Sequence, residues 1–505
     1  MKYVLTNSEM RAADEYTINT LQIPSITLME RAADSLLAVA KTMIASGEKA
    51  LCVCGGGNNG GDGFALARKL NVCGIETHVV RVANRVSEEN ALECEEFEKS
   101  GGIILSAMPT SGYALVVDCL LGTGFKGALK ENYAQAIHAI NTLKANGAKV
   151  LSADIPSGID GDNGRAQGVA VCADKTVCLG EYKRGVFLND GIDYAGEIVR
   201  ADIGITLPKK DYAYLIDGKT VQSYLPKRKR NSHKGTYGKA AIVAGSEEYS
   251  GAAYLSTAAC LRSGVGYTTL FTPKWVLEKS VWRAPEALLK STNDGGRVAF
   301  NQETFQGLLG YNAVAYGMGL GATKDVALGA EYLLKNYTGK LILDADALNA
   351  IAAFCDDKDG LFTNKKCDVV LTPHGKEFSR LTEIEVEEIL RSPVEYAQEF
   401  ARRWGVCILL KNAVSVITDG TQTGLCAAGN AGQAKGGSGD VLSGLLAGLC
   451  ASGASGMQSA QAAAFITGRA AELAVQSVGE YALTACDCIQ TIGKAFLSLT
   501  EDTDE

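Results

Sequence analysis

Short apolar runs alternate with amphipathic stretches along nearly the whole chain. The runs lack a regular polar alternation, which is typical of strands buried on both faces of a parallel sheet. Segments 63–74 and 132–147 instead repeat apolar residues at spacings of three and four, which predicts helices. The predicted strands include KALCVCGGG, GIETHVVRV, YALVVDCL, AKVLSADIP, KAAIVAG, AVAYGMG, KLILDAD, CDVVLTP and VCILLKN. This repeated alternation of strands and helices predicts an α/β fold.

The pattern is interrupted most clearly at residues 208–235, which are polar and contain the basic run Lys227–Arg230. A basic run can bind nucleic acid, but no aromatic or basic residues surround this one, which favours a solvated linker. The length of 505 residues also suits more than one domain. We therefore predict two α/β domains, residues 1–215 and residues 225–505.

Composition and charge exclude several classes of protein. The chain is 47% hydrophobic and 21% charged with a net charge of -8, so it lacks the basic field of a nucleic-acid binder. No apolar run is long enough for a membrane span, and the first residues lack the apolar core of a signal peptide. The 15 cysteines form no C-x-x-C pair, which favours reduced thiols over a zinc site. We expect a cytoplasmic protein that binds neither nucleic acid nor membranes.

The first candidate site is the segment GGGNNGGDG at residues 55–63, between a predicted strand and a predicted helix. Its glycines match G-x-G-x-x-G and leave backbone N–H groups free for an anion at a helix start. Asn58, Asn59 and Asp62 add side-chain ligands. Asp118 and Asp154 end two further predicted strands, and the carboxyl ends of parallel strands meet at one edge. Each aspartate alone could be a helix cap, whereas together they favour a binding site.

These segments, with SITLMERAA at residues 25–33, resemble the NAD(P)HX epimerase family, where NAD(P)HX is hydrated NADH or NADPH. The resemblance covers residues 1–215 and implies a Rossmann-like domain that interconverts the two epimers of NAD(P)HX. It also implies that Asp154 is the acid/base group and that Asn59, Asp118 and Ser157 coordinate a potassium ion. The implied NAD(P)HX-binding residues are Asn58, Asn59, Gly60, Gly61, Asp62, Gly122, Thr123, Gly124, Phe125, Lys126, Gly127, Ala128, Tyr133 and Asp154.

The second candidate site is GGSGDVLSG at residues 436–444, ahead of a helix of small residues. Free N–H groups at the start of that helix suit the charge that develops on a phosphoryl group, and Asp440 can accept a proton from a hydroxyl. An aspartate in a first helical turn is also common without any function. This motif by itself leaves both interpretations open.

Residues 225–505 contain HKGTYGKAAIVAGS, GMGLG, LDADALN, TPHGKE and LLKNAVSVI in this order, and with GGSGD they resemble the ADP-dependent NAD(P)HX dehydratase family, a ribokinase-like fold. The resemblance implies that Asp440 is the catalytic base, beside ADP or ATP with a magnesium ion. Glu377 is either a solvated side chain or a residue that helps to organise this ion. Asn412, Lys435 and Ser438 depart from the family pattern. The implied NAD(P)HX-binding residues are Ala253, Gly319, His374 and Asp440, and the implied nucleotide-binding residues are Lys411, Asn412, Ala413, Val414, Ser415 and Gly439.

Together the two resemblances imply a bifunctional repair enzyme. Phosphoryl transfer to the ring hydroxyl of NAD(P)HX makes a good leaving group, and the ring nitrogen can then expel phosphate. Two alternatives stay open at this point: a ribokinase-like kinase for a vitamin precursor with an accessory nucleotide-binding domain, and a non-catalytic dinucleotide-binding protein. We also expect a homo-oligomer.

Overall fold

The computed structural model describes residues 1–83, 85–125, 127–280 and 284–501. The chain folds as two compact units that divide between Tyr212 and Ala213. Each unit is an α/β structure, and the runs predicted as strands each contain one. Among the helices within these ranges, none is both long and apolar enough to cross a membrane.

The first unit is built on a parallel sheet of seven strands in the order β4-β3-β2-β5-β6-β7-β9. Its first six strands follow the 3-2-1-4-5-6 order of a Rossmann fold, with the reversal between β2 and β5. The strands β1 and β8 form a separate parallel pair. The strands are β1 (Lys2–Leu5), β2 (Ala50–Cys54), β3 (Thr77–Arg81), β4 (Ile103–Leu105), β5 (Leu115–Cys119), β6 (Lys149–Ala153), β7 (Lys175–Leu179), β8 (Tyr182–Lys183) and β9 (Glu197–Ala201).

Helices cover both faces of this sheet. Leu36, Phe64 and Phe97 pack on one face and Ile137 and Ile140 on the other, so the central strands are fully buried. This double burial explains why their sequences are continuously apolar. The helices are α1 (Asn7–Glu15), α2 (Ser25–Met43), α3 (Asn58–Val72), α4 (Glu88–Lys99), α5 (Glu131–Ala145) and α6 (Gly191–Tyr194).

The second unit contains the strand order β13-β12-β11-β14-β15-β16-β17-β18-β19-β10. Most neighbours are parallel, but β18 runs antiparallel to both β17 and β19, which the sequence pattern did not predict. The strands are β10 (Tyr214–Leu215), β11 (Lys239–Val243), β12 (Tyr267–Thr272), β13 (Leu288–Ser291), β14 (Ala313–Tyr316), β15 (Lys340–Leu343), β16 (Asp368–Leu371), β17 (Cys407–Leu410), β18 (Ser415–Thr418) and β19 (Thr423–Cys426).

Part of the segment expected as a linker is structured, since β10 pairs with β19 and a helix follows it. In the basic run, the guanidinium of Arg228 stacks on Tyr237 at 3.8 Å and donates a hydrogen bond to the Gly264 carbonyl oxygen. The helices of this unit are α7 (Gly218–Tyr224), α8 (Ser250–Leu261), α9 (Lys274–Ser280), α10 (Gln302–Gln306), α11 (Lys324–Asn336), α12 (Asp346–Phe354), α13 (Lys358–Thr363), α14 (Gly375–Thr382), α15 (Val386–Arg391), α16 (Pro393–Trp404), α17 (Ser438–Ala451), α18 (Gly456–Ala482) and α19 (Ala485–Glu501).

Glycines in α17 let this helix pack directly against α8. A Cβ atom at Gly444 would lie 2.0 Å from the carbonyl oxygen of Ser256, and one at Gly448 would lie 1.9 Å from Ser263 Oγ. Both distances are far below van der Waals contact, so the two helices would have to move apart. Because the start of α17 carries Asp440, this close packing also fixes the second candidate site.

We predict that Gly444→Ala lowers the free energy of unfolding by about 1–3 kcal/mol, because the added methyl group has no space. Gly493→Ala in α19 is the matched control, since nothing lies within 4 Å of its Cβ position. Alanine favours a helix over glycine by about 1 kcal/mol, so the control should be neutral or stabilising. Urea denaturation of the full chain measures both, and equal stability of the two variants would contradict the close packing.

Candidate functional site

The glycine loop of the first unit connects β2 to α3 at the reversal point of the sheet. A Cβ atom at Gly55 would lie 1.8 Å from the Leu120 carbonyl oxygen, so only glycine fits where this loop meets the loop after β5. The side chain of Asn90 fixes the loop from the other side, because its Nδ2 donates to the carbonyl oxygens of Gly55 and Gly57 at 3.0 and 2.8 Å. The loop is therefore rigid.

A cavity of about 640 Å³ lies at this edge of the sheet, and Asn59 contributes to its wall. The side chain of Asn59 is only 9% exposed, yet neither its Oδ1 nor its Nδ2 has a hydrogen-bond partner among the described residues. An unpaired buried amide costs free energy unless a ligand satisfies it. The neighbouring Asn58 is different, because its Oδ1 accepts a hydrogen bond from Ser87 Oγ at 2.7 Å.

The loop after β5 contributes a fully buried carboxylate. Asp118 accepts hydrogen bonds from Ser157 Oγ at 2.6 Å, from the Ser157 backbone N–H at 2.8 Å and from Ser152 Oγ at 2.9 Å. Burial raises the pKa of Asp118, and these hydrogen bonds oppose that rise. No basic side chain pairs with Asp118 in the part of the chain that the structure describes. The predicted pair Asp118 and Ser157 is thus in direct contact.

Asp154 follows β6 in a left-handed backbone conformation with φ of 69°. Its carboxylate forms an ion pair with Lys183, and its Oδ1 also accepts a hydrogen bond from the Leu179 N–H at 3.3 Å. The side chain of Lys183 is 1% exposed and donates as well to the Leu179 carbonyl oxygen. Sequence analysis missed Lys183, because nothing in EYKRG distinguishes a buried lysine from a surface one.

Most residues predicted for the first site surround the same cavity. Its wall includes Asn58, Asn59, Asp62, Gly122, Thr123, Gly124, Phe125, Ala128, Tyr133 and Asp154. The Cβ position of Gly122 is 3.4 Å from both Asn59 Cβ and Asp154 Oδ2, so this glycine brings the two loops together. Gly60, Gly61 and Gly127 are not part of the wall, and Lys126 lies outside the described residues.

The wall also includes residues that sequence analysis did not single out, among them Asp14 of α1 and Leu28 and Met29 of α2. Burial raises the pKa of Asp14 to about 6; the charge of Asp154 adds to this rise and that of Lys183 opposes it. Burial and the Asp154 charge also raise the pKa of Asp62 well above its usual range. Several carboxyl groups therefore share this cavity with one buried ammonium.

The second unit has a comparable cluster at the ends of β15, β16 and β17. Lys411 Nζ lies 2.8 Å from Asp344 Oδ1 and 3.8 Å from Glu377 Oε2. Asp344 Oδ2 also accepts a hydrogen bond from Ser443 Oγ of α17 at 2.7 Å. Burial by itself would lower the pKa of Lys411, but the two carboxylates outweigh it and raise the pKa. Lys411 therefore stays charged.

The start of α17 is adjacent to this cluster. The Cβ position of Gly439 is 3.6 Å from Lys411 Nζ and 3.9 Å from Asp344 Oδ2. Burial raises the pKa of Asp440 to about 7; the negative charge of Asp344 contributes, and Lys411 opposes the rise. A carboxylate with a pKa near neutrality is suited to act as a general base. Asp440, Gly439 and Lys411, all predicted from the sequence, thus lie together.

His374 caps α14 from the end of β16. Its ring Nδ1 accepts hydrogen bonds from the backbone N–H groups of Lys376 and Glu377. The backbone N–H of His374 donates in return to Glu377 Oε2 at 2.9 Å. The Lys411 backbone N–H donates to the Pro373 carbonyl oxygen at 2.8 Å, and His374 forms a parallel β-bridge with Lys411, so His374 lies beside the end of β17. The ring of His374 is half-exposed, and its Nε2 lies 3.4 Å from Glu377 Oε1.

Ala253 and Gly319 occupy neighbouring elements. The Cβ position of Gly319, where φ is 63°, would lie 2.8 Å from the Cβ atoms of Ala252 and Tyr249. Ala253 is fully buried, and its Cβ is 2.7 Å from the Cβ position of Gly245. The methyl group of Ala253 is thus packed inside the protein and is not available to a ligand.

The three departures from the family pattern have structural explanations. Asn412 is exposed and does not have a positive φ, so the loop does not require glycine there. Lys435 Nζ donates to the carbonyl oxygens of Tyr481 and Leu483 at 2.5 and 2.8 Å, and Ser438 Oγ donates to the Gln433 carbonyl oxygen at 2.8 Å. Lys435 therefore anchors the glycine loop to the end of α18.

Of the other residues in the predicted nucleotide loop, Ala413 is exposed, Val414 is buried and Ser415 begins β18.

A metal site made of three or more His, Cys, Asp or Glu side chains is not present among the described residues. The 15 cysteines are all free, and most of them are buried.

Comparison with protein families matches both units. Residues 25–185 match the family model described as YjeF-related protein N-terminus, and residues 240–494 match the model described as NAD(P)H-hydrate dehydratase. The two matches follow one another in the order that the motifs predicted.

Relatives match the whole chain. A bifunctional NAD(P)H-hydrate repair enzyme of Thermofilum pendens is 34% identical over 98% of this chain and 96% of its own length. That of Moorella thermoacetica is 33% identical over 99% of this chain and 98% of its own. Among solved structures, the ADP/ATP-dependent NAD(P)H-hydrate dehydratase of Bacillus subtilis, crystallised with ATP and Mg²⁺, is 31% identical with a TM-score of 0.50 and covers 56% of this chain and 98% of that one. These matches and the strand orders confirm the predicted fold class.

We predict that Asp344→Ala destabilises the second unit by about 3 kcal/mol or more, because it leaves the charge of Lys411 without its nearest partner. Ser443→Ala is the matched control, since it removes one hydrogen bond to the same carboxylate and should cost about 1 kcal/mol. Denaturant unfolding of both full-length variants measures the difference. Equal losses would mean that the ion pair contributes no more than the hydrogen bond.

Proposed function

We propose a function from the premise that this chain belongs to the family of bifunctional NAD(P)H-hydrate repair enzymes. The proposal is that it restores hydrated NADH and NADPH to their usable forms in two steps, at two separate sites. The first unit interconverts the two epimers of the hydrate, and the second unit dehydrates one of them. One observation carries the proposal: each unit has, at a parallel-sheet edge, an acidic side chain beside a glycine loop and a buried lysine–aspartate pair.

In the first unit, Asp154 is the acid/base group. It supports epimerisation by moving a proton to or from the ring hydroxyl while the carbon–oxygen bond opens and closes again. The ion pair with Lys183 and the left-handed backbone hold its carboxylate in one position. The substrate is bound by Asn58, Asn59, Gly60, Gly61, Asp62, Gly122, Thr123, Gly124, Phe125, Lys126, Gly127, Ala128 and Tyr133.

A potassium ion fits beside this site. Asn59 Oδ1 is a buried oxygen without a hydrogen-bond partner among the described residues, and Asp118 is a buried carboxylate without a cationic partner there. A single negative charge with neutral oxygen donors suits a monovalent cation better than a divalent one. Asn59, Asp118 and Ser157 would hold it. Its charge would keep Asp118 ionised and position the two loops.

In the second unit, Asp440 is the general base. It takes the proton of the ring hydroxyl as that oxygen attacks the terminal phosphorus of a nucleotide, and the shortened nucleotide leaves. The ring nitrogen lone pair then breaks the carbon–oxygen bond and releases phosphate, and loss of a ring proton restores NAD(P)H. Gly319 and His374 position the substrate beside Asp440, and the buried Ala253 supports the site by packing against Gly245.

ADP or ATP is the co-substrate of the second unit. Lys411, Asn412, Ala413, Val414, Ser415 and Gly439 bind it, and the charged Lys411 beside the free N–H groups of α17 suits its phosphates. The carboxylate of Glu377, buried near Lys411, is the hard oxygen donor that a magnesium ion prefers. Magnesium would neutralise phosphate charge there.

A cytoplasmic location and a homo-oligomeric state stay predictions from the sequence.

The test of the proposal uses a mixture of both epimers of hydrated NADH, the full-length protein and ADP or ATP. The absorbance of NADH should rise in a fast phase, as the usable epimer is dehydrated, and then in a slower enzyme-dependent phase. Nucleotide consumption should match NADH formation. A stable phosphorylated product with no NADH would instead support the small-molecule kinase.

We predict that Asp440→Asn lowers the rate of dehydration by a factor of about 10²–10⁴, because the amide cannot accept the proton. Nucleotide binding, measured by calorimetry, should stay within a few-fold of wild type. The wild-type rate should fall as the pH drops below about 7, since the carboxylate must be ionised to act as a base. A variant with normal turnover, or a wild-type rate that rises as Asp440 is protonated, would exclude this role.

We predict that Asp154→Ala removes only the slower, enzyme-dependent phase of NADH formation. Asp440 belongs to the other unit, so the substitution should not affect it through packing. The usable epimer should be converted at the normal nucleotide-dependent rate, and the other should react only as fast as it epimerises unaided. Asp440→Asn is the reciprocal control, since it should block both phases of NADH formation. Complete conversion of both epimers by Asp154→Ala at the wild-type rate would show that Asp154 has no catalytic part.

A further inference from the structure

The cavity of the first unit contains an acidic residue that none of the glycine motifs supplies. Asp14 is in the last turn of α1, and its half-buried side chain contributes to the same wall as Asn59, Asp62 and Asp154. No hydrogen bond to the Asp14 carboxyl is present in the part of the chain that the structure describes. Asp14 therefore has no evident structural role there.

The chemistry of epimerisation requires more than one proton-transfer position. When the ring hydroxyl leaves as water, a group on that face of the ring must supply a proton. When water returns to the opposite face, a group on that second face must take a proton. A single carboxylate fixed by an ion pair reaches only one of the two faces. This argument rests on the proposed epimerase function.

An acidic cluster alone does not define a site, but Asn59 gives independent evidence of a ligand in this cavity. Its side chain is more than nine-tenths buried, forms part of the wall, and has no hydrogen-bond partner for either amide atom among the described residues. Asp14 therefore faces a space that is built to hold a polar molecule.

The charges in the cavity give its carboxyl groups different protonation behaviour. Lys183 neutralises Asp154 directly, so that carboxylate stays next to a positive charge. The groups that influence Asp14 are Lys183, Asp154 and Glu15, and with burial they leave its pKa at about 6. A group of this kind can both donate and accept a proton near neutral pH. Burial, and after it the charge of Asp154, raise the pKa of the buried Asp62 well above its usual range.

We propose that Asp14 is a second catalytic residue of the first unit and serves the ring face opposite to Asp154. In one direction, the Asp14 carboxyl gives its proton to the departing hydroxyl; the carbon–oxygen bond breaks, the ring nitrogen forms a double bond to the carbon, and water is released. Water then adds to the opposite face, its oxygen forms the new bond, and its proton goes to Asp154. The reverse direction exchanges the two roles, and a proton returning through water restores both groups.

The test compares Asp14→Asn with Glu15→Gln in the full-length protein. Glu15 is the exposed neighbour of Asp14, so Glu15→Gln is a matched loss of one negative charge outside the cavity. With a mixture of epimers and ADP, Asp14→Asn should slow the second phase of NADH formation by a factor of about 10²–10⁴ and leave the first phase unchanged. Glu15→Gln should behave like wild type.

Chemical rescue separates catalysis from a structural effect. Formate supplied to Asp14→Ala should restore part of the second phase, because a small carboxylic acid can occupy the space of the missing side chain. An Asp14→Asn protein with a wild-type second phase would overturn the inference, as would a slow Asp14→Ala that formate does not rescue. A wild-type protein with no enzyme-dependent second phase would contradict the proposed epimerase function itself.

Discussion

A buried pair between a lysine and an aspartate organises each of the two sites. In the first unit Lys183 pairs with Asp154, and in the second unit Lys411 pairs with Asp344. Both pairs join the ends of different strands, and both lie where water is largely excluded. Such a pair is costly to leave incomplete, so it fixes the relative positions of the loops that carry it.

The same pairs set the electrostatics of the carboxyl groups around them. Each lysine pairs with one aspartate, and a further acid nearby has no ion-pair partner among the residues that the structure describes. Burial and the negative charge of the paired aspartate then raise the pKa of that acid, to about 6 for Asp14 and to about 7 for Asp440. Each site thus combines an aspartate held by a lysine with an acid whose pKa lies near neutrality, as proton transfer requires.

Glycine makes this arrangement possible because the loops approach one another closely. Gly55 lies against the backbone of Leu120, and Gly122 lies between Asn59 and Asp154. In the second unit Gly439 is close to both members of the Lys411–Asp344 pair. A side chain at Gly55 would push the loops apart, and one at Gly439 would occupy the space beside the lysine. The two units therefore use one physical solution for two different reactions.

The amino-acid sequence by itself determined the elements and the loops that carry the chemistry. Continuous apolar runs predicted the buried strands, and glycine loops at their ends predicted where Asn59, Asp154 and Asp440 would lie, because these signals are local. The partners of those residues were not predictable from the sequence. Lys183 and Asp14 belong to segments with no distinctive pattern, and Asp344 lies in the motif LDADALN, whose letters do not show that it pairs with Lys411. The antiparallel strand β18 looks like any other apolar run. Only the tertiary structure brings these segments together, and the burial that shifts a pKa exists only after that packing has formed.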